Sequence, residues 1–596
     1  MRYPNIMGRT VRIVLIAIGA LGLWSSGAVV SEVAAQDSLN SQLILPNLTP
    51  REVEIRGDLV ISFPSLVRQP LIGFNPPPRV PDIAPDRMPY VDEYKQSGDD
   101  LPDSPLVKPT PPPVTSLTSG DQSFGEVEAT TGNYFNRTVR IRAGFPVSET
   151  SNIELDVDYH GSNGNEVFSS IPDVVNDYDT FEGRLDLNHS SRSFRARASI
   201  GGYSDAYNLY PVGSLINAPS FNLTPDRTVN GFGGELSLGT GTASRVQVTS
   251  AVGFGQYVMD TDLQSSGSIP DMLLERTEQN VTGRLGVTFP VGNASIGLDG
   301  RGGLNRLDSG DADEAENSHI SGGLKYRTLI GNSVELSLGA RILAISITEG
   351  STRDASYVAP SFRLTLSPNP WVDVYASNDP MIENNTITTV TRSNPYVIDQ
   401  PALEPVVYPI NAETGVKIYS GPIRVVGRAG YQVSPNFKYF RRATTAEISE
   451  AVEAFSAISY SDASILSGGG DISIALPGRL SFTLGGKYRY AQFENSDDPV
   501  PYVAPITGRV SLAYNDPNSR FAAEIASDYT GKRFVDRSKS NELHGYSSLN
   551  LSAIYNVNSH LGIAARVNNV FSDDLESWEN YLQSPVRVAA GLRLLW

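Results

Sequence analysis

From about Gln122 to the C terminus, apolar and polar positions alternate two residues at a time. Ile153, Leu155, Val157 and Tyr159 are interleaved with Glu154, Asp156, Asp158 and His160. Phe194, Ala196, Ala198 and Ile200 are interleaved with Arg195, Arg197 and Ser199, and Leu185 and Leu187 with Arg184, Asp186 and Asn188. The same period governs Val281–Phe289, Val334–Leu338, Leu480–Tyr490 and Phe521–Tyr529. Successive side chains of a strand point to opposite faces, so each segment predicts a strand with one greasy and one wet side.

The connections sort into two kinds. Short turns fall at Ser190-Ser191, Gly239–Gly241, Pro290–Asn293, Ile330–Asn332, Pro368–Pro370, Gly421-Pro422, Pro477-Gly478, Asn515–Asn518 and Asn558-Ser559. Long polar stretches lie between them: 160–179, 204–227, 259–276, 305–318, 348–355, 378–409, 434–455, 495–500, 530–543 and 572–584. Strict alternation of tight turns and long loops is the signature of an up-and-down transmembrane barrel. A Greek-key sandwich has no reason to sort its loops so. The pattern predicts an all-β, antiparallel barrel over 122–596 of about 22 strands, within a range of 18–22.

The last strand sharpens this. Val586, Val588, Ala590, Leu592, Leu594 and Trp596 share one face; Arg587, Ala589, Gly591, Arg593 and Leu595 share the other. Gly591, Leu594 and Trp596 resemble the C-terminal assembly signal of outer-membrane barrels, which implies outer-membrane lipid and the barrel-assembly machinery as partners.

The N-terminal part is different. Arg2, Arg9 and Arg12 precede an apolar run from Ile13 to Trp24, and Val33-Ala34-Ala35 supplies small residues for cleavage. This predicts a signal peptide over 1–35, cut between Ala35 and Gln36. From 36 to 121 prolines crowd at Pro76–Pro78 and Pro111–Pro113, which predicts an extended periplasmic arm. Within it Val53, Ile55, Leu59 and Ile61 alternate with polar residues. That island is either a strand added to the sheet of a periplasmic partner or a strand lying against the barrel. Arg51–Ile55 loosely resembles the short box by which TonB-dependent receptors engage their energy-coupling protein.

The end of the chain resembles the TonB-dependent receptors more specifically, through Asn569-Val570-Phe571, the loop that follows, and the closing strand Val586–Trp596. The resemblance implies uptake of a solute across the outer membrane of a Gram-negative-type bacterium, powered from the periplasm. It departs from the family pattern in one respect: the stretch ahead of the barrel is short and proline-rich where a full plug domain would stand. The alternative is a non-transporting barrel, an envelope scaffold whose arm recruits a partner.

Composition removes other classes. The net charge is −18, and −20 once the leader with its three arginines and Glu32 is removed, which argues against nucleic acid. With no Cys there is no disulfide framework and no thiolate metal site. His160, His189, His319, His544 and His560 are scattered. The one constellation worth weighing is Ser204-Asp205 with His160; no enzyme, metal or cofactor is expected. Asp308, Asp311, Asp313, Glu314 and Glu316 form an acidic loop without EF-hand spacing. Arg184, Arg195, Arg197, Arg587 and Arg593 are candidate lumen charges. Like Arg140, Arg142, Arg284, Arg509 and Arg566, they are expected to pair with carboxylates on the same faces.

Overall fold

The computed structural model describes residues 123–596 apart from 168–173, 210–225, 242–243, 263–274, 309–313, 350, 399–402, 444–455, 495, 497, 517 and 572–574. The leader, its cleavage site at Ala35 and Gln36, and the arm with Val53, Ile55, Leu59 and Ile61 lie outside the described residues.

The barrel strands are β1 Phe124–Gly132, β2 Arg137–Ser148, β3 Ser151–Ser162, β4 Tyr178–Ser190, β5 Phe194–Asn208, β6 Asp226–Thr240, β7 Gln247–Asp262 and β8 Glu275–Val291. They continue as β9 Ala294–Asp308, β10 Ala315–Ile330, β11 Val334–Glu349, β12 Ser351–Asn369, β13 Val372–Asn378, β14 Ile410–Ser420 and β15 Ile423–Arg442. The set ends with β16 Ser456–Leu476, β17 Leu480–Phe493, β18 Ile506–Asn515, β19 Phe521–Thr530, β20 Tyr546–Asn556, β21 Leu561–Asn568 and β22 Arg587–Leu595. These 22 strands make one sheet in which each pairs antiparallel with its neighbours in sequence. β1 and β22 also pair, from Glu126↔Leu595 to Gly132↔Ala589, so the sheet closes without an edge.

The wall's outer face is apolar and bare. Val358 is 77% exposed, and Val252 and Ile320 are each 62% exposed. Phe254, Leu285, Leu324, Leu338, Ile342, Leu466, Tyr488, Ile525, Leu592 and Trp596 continue the same belt. A soluble monomer does not present a contiguous apolar surface of this extent to water; hydrocarbon is the solvent such a face requires. The described residues include no helix long and apolar enough to span a membrane, so the crossing is made by strands.

One expected loop is absent. Residues 348–355 are polar, but β11 and β12 stay paired through Thr348↔Thr352 to Glu349↔Ser351. A barrel strand can continue past the bilayer into water, where polar side chains suit both faces. Composition alone therefore mistook an extended hairpin for a loop. A further hairpin, β1–β2, turns at Asn133–Phe135.

Candidate functional site

The longest expected loop, 378–409, folds into the barrel mouth. Its helix α1, Ile387–Ser393, buries Ile387 and Val390. With Val397 and Leu403 they pack on Val229 of β6, Met259 of β7, Leu307 of β9 and Ala315 of β10. Those four wall residues lie on the face opposite the exposed belt. Ile458 of β16 completes the cluster, with Tyr203, Phe440 and Tyr460 against it. The loop leaves between β13 and β14, so these contacts carry it across the mouth to the far wall.

A backbone buried this way must find partners for its N–H and C=O groups. Thr386 caps α1 through a reciprocal capping box with Thr389. The Ile387 N–H donates to the buried Glu278 carboxylate of β8. Asn385, fully buried, is a hub: its amide donates to the Glu404 carbonyl (2.6 Å), and its side-chain oxygen accepts from Lys438 Nζ (2.6 Å). Asn317 donates to the Leu403 carbonyl at 2.7 Å. Asn436 donates to the Pro405 carbonyl (2.7 Å) and accepts from Val407 N–H (2.9 Å). The buried Arg227 guanidinium donates to the carbonyls of Pro395 (2.9 Å) and Val397 (2.6 Å), and the Tyr207 hydroxyl also donates to Pro395 (2.9 Å). Arg353 pairs with Glu404. Where the loop returns, burial foremost and then Glu383 push the Tyr408 hydroxyl far above its ordinary value, so it stays a neutral donor.

An aromatic rim joins this loop to the others. Tyr396 stacks on Tyr581, with ring centroids 3.3 Å apart. Trp578 meets Phe440 edge-on at 5.3 Å and Tyr502 at 4.7 Å. The Arg537 guanidinium lies 3.9 Å from the Phe493 ring centre.

From the mouth downward, the lumen side of the barrel carries charge. Arg184 and Arg197 share Asp186 at 3.0 and 3.1 Å. Arg593 holds Glu126 at 2.8 Å, and Arg587 pairs with Glu166 while donating to the Tyr178 hydroxyl at 2.6 Å. Arg195 has no ion pair among the described residues. Arg140–Asp158, Arg142–Asp156, Arg284–Glu235, Arg509–Asp528 and Arg566–Glu128 complete this ladder. A cavity of about 370 Å³ opens on it between Glu126, Arg140, Glu524, Asn550 and Arg566.

Gly591 sits at the closing seam. A Cβ there would stand 1.8 Å from the Ala129 carbonyl oxygen, and one on Gly132 would stand 1.8 Å from that of Val588. Leu594 and Trp596 are about half exposed on the outer face.

The hydrolase constellation is not assembled. Asp205 accepts from Thr180 and from Tyr203 on the lumen side, and His160 contacts Thr138 there. Ser204, one residue from Asp205 in a strand, faces outward and donates to Asn230. Of the acidic loop, Asp311 and Asp313 lie outside the described residues, and Glu314 pairs with Arg306. No group of His and carboxylates suited to a metal occurs among the described residues.

Sequence reasoning placed the 378–409 loop but not its inward course. Its own signal was the apolar Ile387, Val390, Val397, Ile398, Leu403, Val406 and Val407, far more than a solvated loop needs.

A family model for the TonB dependent receptor-like beta-barrel matches residues 116–570, so the chain belongs to that family, whose barrels are Gram-negative outer-membrane proteins. Among solved structures the fold is similar to "Copper transporter OprC" (TM-score 0.62, 12% identity, 80% of this chain and 81% of that one). It is also similar to BauA, the ferric preacinetobactin receptor from Acinetobacter baumannii (TM-score 0.59, 12% identity, 80% of each chain). The FrpB iron transporter from Neisseria meningitidis, F5-1 variant, aligns at TM-score 0.61 and 10% identity over 80% of this chain and 82% of that one. Compared with curated proteins by sequence, the chain finds no match.

Proposed function

We propose that this barrel takes up a solute across the outer membrane, driven by a periplasmic energy-coupling protein, with the 378–409 loop as its outer constriction. The observation that carries this is the loop itself: a hydrogen-bonded, partly helical segment laid across the mouth of a closed, polar-lined barrel. A structure built only to anchor an arm has no need to obstruct its own lumen. The family supports a periplasmic coupling partner. The copper, iron and siderophore names of the similar structures suggest metal chelates as the first solutes to try. The arm takes the place of a folded plug in this reading, as its proline content suggests. The role is transport without catalysis.

The test is uptake by cells with and without the intact gene, offered copper and ferric chelates, before and after a protonophore. Uptake that requires both the chain and the proton gradient is the expected result. Uptake indifferent to the gradient would mean a passive pore. No difference for any solute, together with capture of a periplasmic protein by the arm, would favour the scaffold.

A further inference from the structure

One carboxylate ties α1 to the wall behind it. Glu278 of β8 is fully buried, and its Oε2 accepts from the Ile387 N–H, the first of the helix. Its other oxygen, Oε1, is sealed from solvent and has no hydrogen-bond partner. Asn305 of β9, also buried, stands within hydrogen-bond reach of this carboxyl. The Asn305 amide nitrogen is directed to the Asn385 carbonyl of the loop, at 3.4 Å, and the Asn305 Oδ1 is left without a donor. Glu278 Oε1 and Asn305 Oδ1 are therefore two buried acceptors on neighbouring strands, and neither is satisfied. A buried acceptor without a donor is costly, and an ionised one more so.

The groups facing Glu278 do little to hold its charge. From β7, Tyr257 stands in register with it, and burial foremost pushes that hydroxyl up, so it is neutral. From β9 the register partner is Leu307, and β10 adds Ala315 and Asn317. The loop contributes the Ile387 N–H, Thr388 and Arg392, and Arg392 is already paired with Glu182 at 2.9 Å. On β8 itself Asn280 and Arg276 flank Glu278 on the same face, and of the groups that favour the ionised form Arg276 pulls least. Burial outweighs all of them and pushes Glu278 up to about 7. Glu278 lies beyond Val281, the last belt residue of β8, and the next outward residue, Gln279, is polar. It belongs to the mouth, above the hydrocarbon.

We propose that Glu278 is a proton-operated latch for the inward loop: with a proton on Oε1 it donates to Asn305 Oδ1 while Oε2 accepts from Ile387, and loss of that proton frees α1 from the wall. Both orphaned acceptors are satisfied in the protonated state. When the loop swings away, Glu278 meets the water of the lumen and returns to the ordinary carboxylate value of about 4.3. Release of the loop therefore liberates one proton. The docked state is fully favoured below the ordinary value and loses ground as pH rises through the raised one. An acid exterior closes the constriction, and a neutral or alkaline one loosens it. The latch concerns the docking of the loop alone, so it goes beyond the transport reading and does not depend on which solute passes.

The test uses the absence of Cys from the sequence: Ser393→Cys, at the exposed end of α1, gives a single site for a nitroxide spin label. The labelled full chain in neutral detergent is followed by electron paramagnetic resonance from about pH 4.5 to about pH 8.5. The ratio of mobile to immobilised label should rise with pH, by up to about tenfold per pH unit, as release of one proton requires. Glu278→Gln in the same background places an amide where the protonated acid stood. It donates to Asn305 and accepts from Ile387 without titrating, so the label should stay immobilised across the range. Glu278→Ala removes both contacts and should leave the label more mobile than in the parent at acid pH. Glu182→Gln, which breaks only the exposed pair with Arg392, should keep the parent's profile. Heat-modifiable gel mobility verifies that each variant is a closed barrel. A label ratio indifferent to pH in the parent, or a Glu278→Gln chain that keeps the slope or is looser than the parent at about pH 7.5, overturns the latch. A flat profile with gradient-driven uptake intact defeats the latch alone. A sloped profile that Glu278→Gln abolishes, in a chain on which no solute depends for uptake, supports the latch and defeats the transport reading.

Discussion

At the scale of single residues, Gly591 shows what the sequence could and could not say. Its place in a terminal pattern with Leu594 and Trp596 was legible. Its physical job was not, because the contact is with Ala129, more than four hundred residues away along the chain. Gly591 and Gly132 let β22 and β1 approach where the sheet must close. Gly591→Ala would drive a methyl into a backbone carbonyl that no rotamer can move, so the seam must open locally. We expect a sharply reduced yield of folded barrel, read as loss of the compact band on unheated gels, whereas Ala589→Gly beside it should be tolerated. Arg227 makes the complementary case. Its guanidinium is almost fully buried and holds two carbonyls of the inward loop. Arg227→Met keeps the length and loses the donors, at a cost of about 3 kcal/mol for hydrogen bonds to a charged group. The expected readout is faster proteinase K cleavage within 386–398 on intact cells, with the barrel itself unchanged.

At the scale of elements, the strands were readable because period two is a local property, and both faces of each strand have a fixed destination. The inward loop was not, because its apolar residues carry no period and its partners are scattered over β6 to β16. The charged lumen was half readable: the sequence shows both signs on one face but not which arginine finds a carboxylate. That depends on register between strands, as with Arg593 and Glu126 on β22 and β1. The rim loop 569–586 adds a pH dependence. Burial foremost, then the neighbouring Glu579, raise the Glu576 carboxyl above its usual range, against Arg533 and His544. An acid whose folded-state value is raised favours the proton, so ionisation works against the folded loop. The stability it costs is absent below the ordinary carboxylate value, near about 4.3, and grows as pH rises through the raised value. Glu576 is half exposed, so the effect is small. Limited proteolysis of the loop should be slower at about pH 4.5 than at about pH 7.5, and Glu576→Gln should flatten that difference.

At the scale of the whole molecule, two solvents meet one sheet. The outer face is matched to hydrocarbon and the inner face to water, and closure removes the edge that would otherwise need covering. A ring of 22 strands encloses more space than its own side chains can fill, so something must occupy or guard it. Among the described residues that role falls to the 378–409 loop, pinned from Arg227 to Asn436 around much of the mouth. Replacing Asp379–Pro409 with an Asn-Gly turn is topologically simple, because Asn378 and Ala412 are already paired partners across β13 and β14. The barrel should still form, since none of its 22 strands is shortened by more than the ends of that hairpin. Its permeability should change: proteoliposomes of the shortened chain should swell in disaccharide, and those of the full chain should not. Equal and negligible swelling by both would show that the loop is not the principal obstruction. The gate would then have to be sought nearer the periplasmic end.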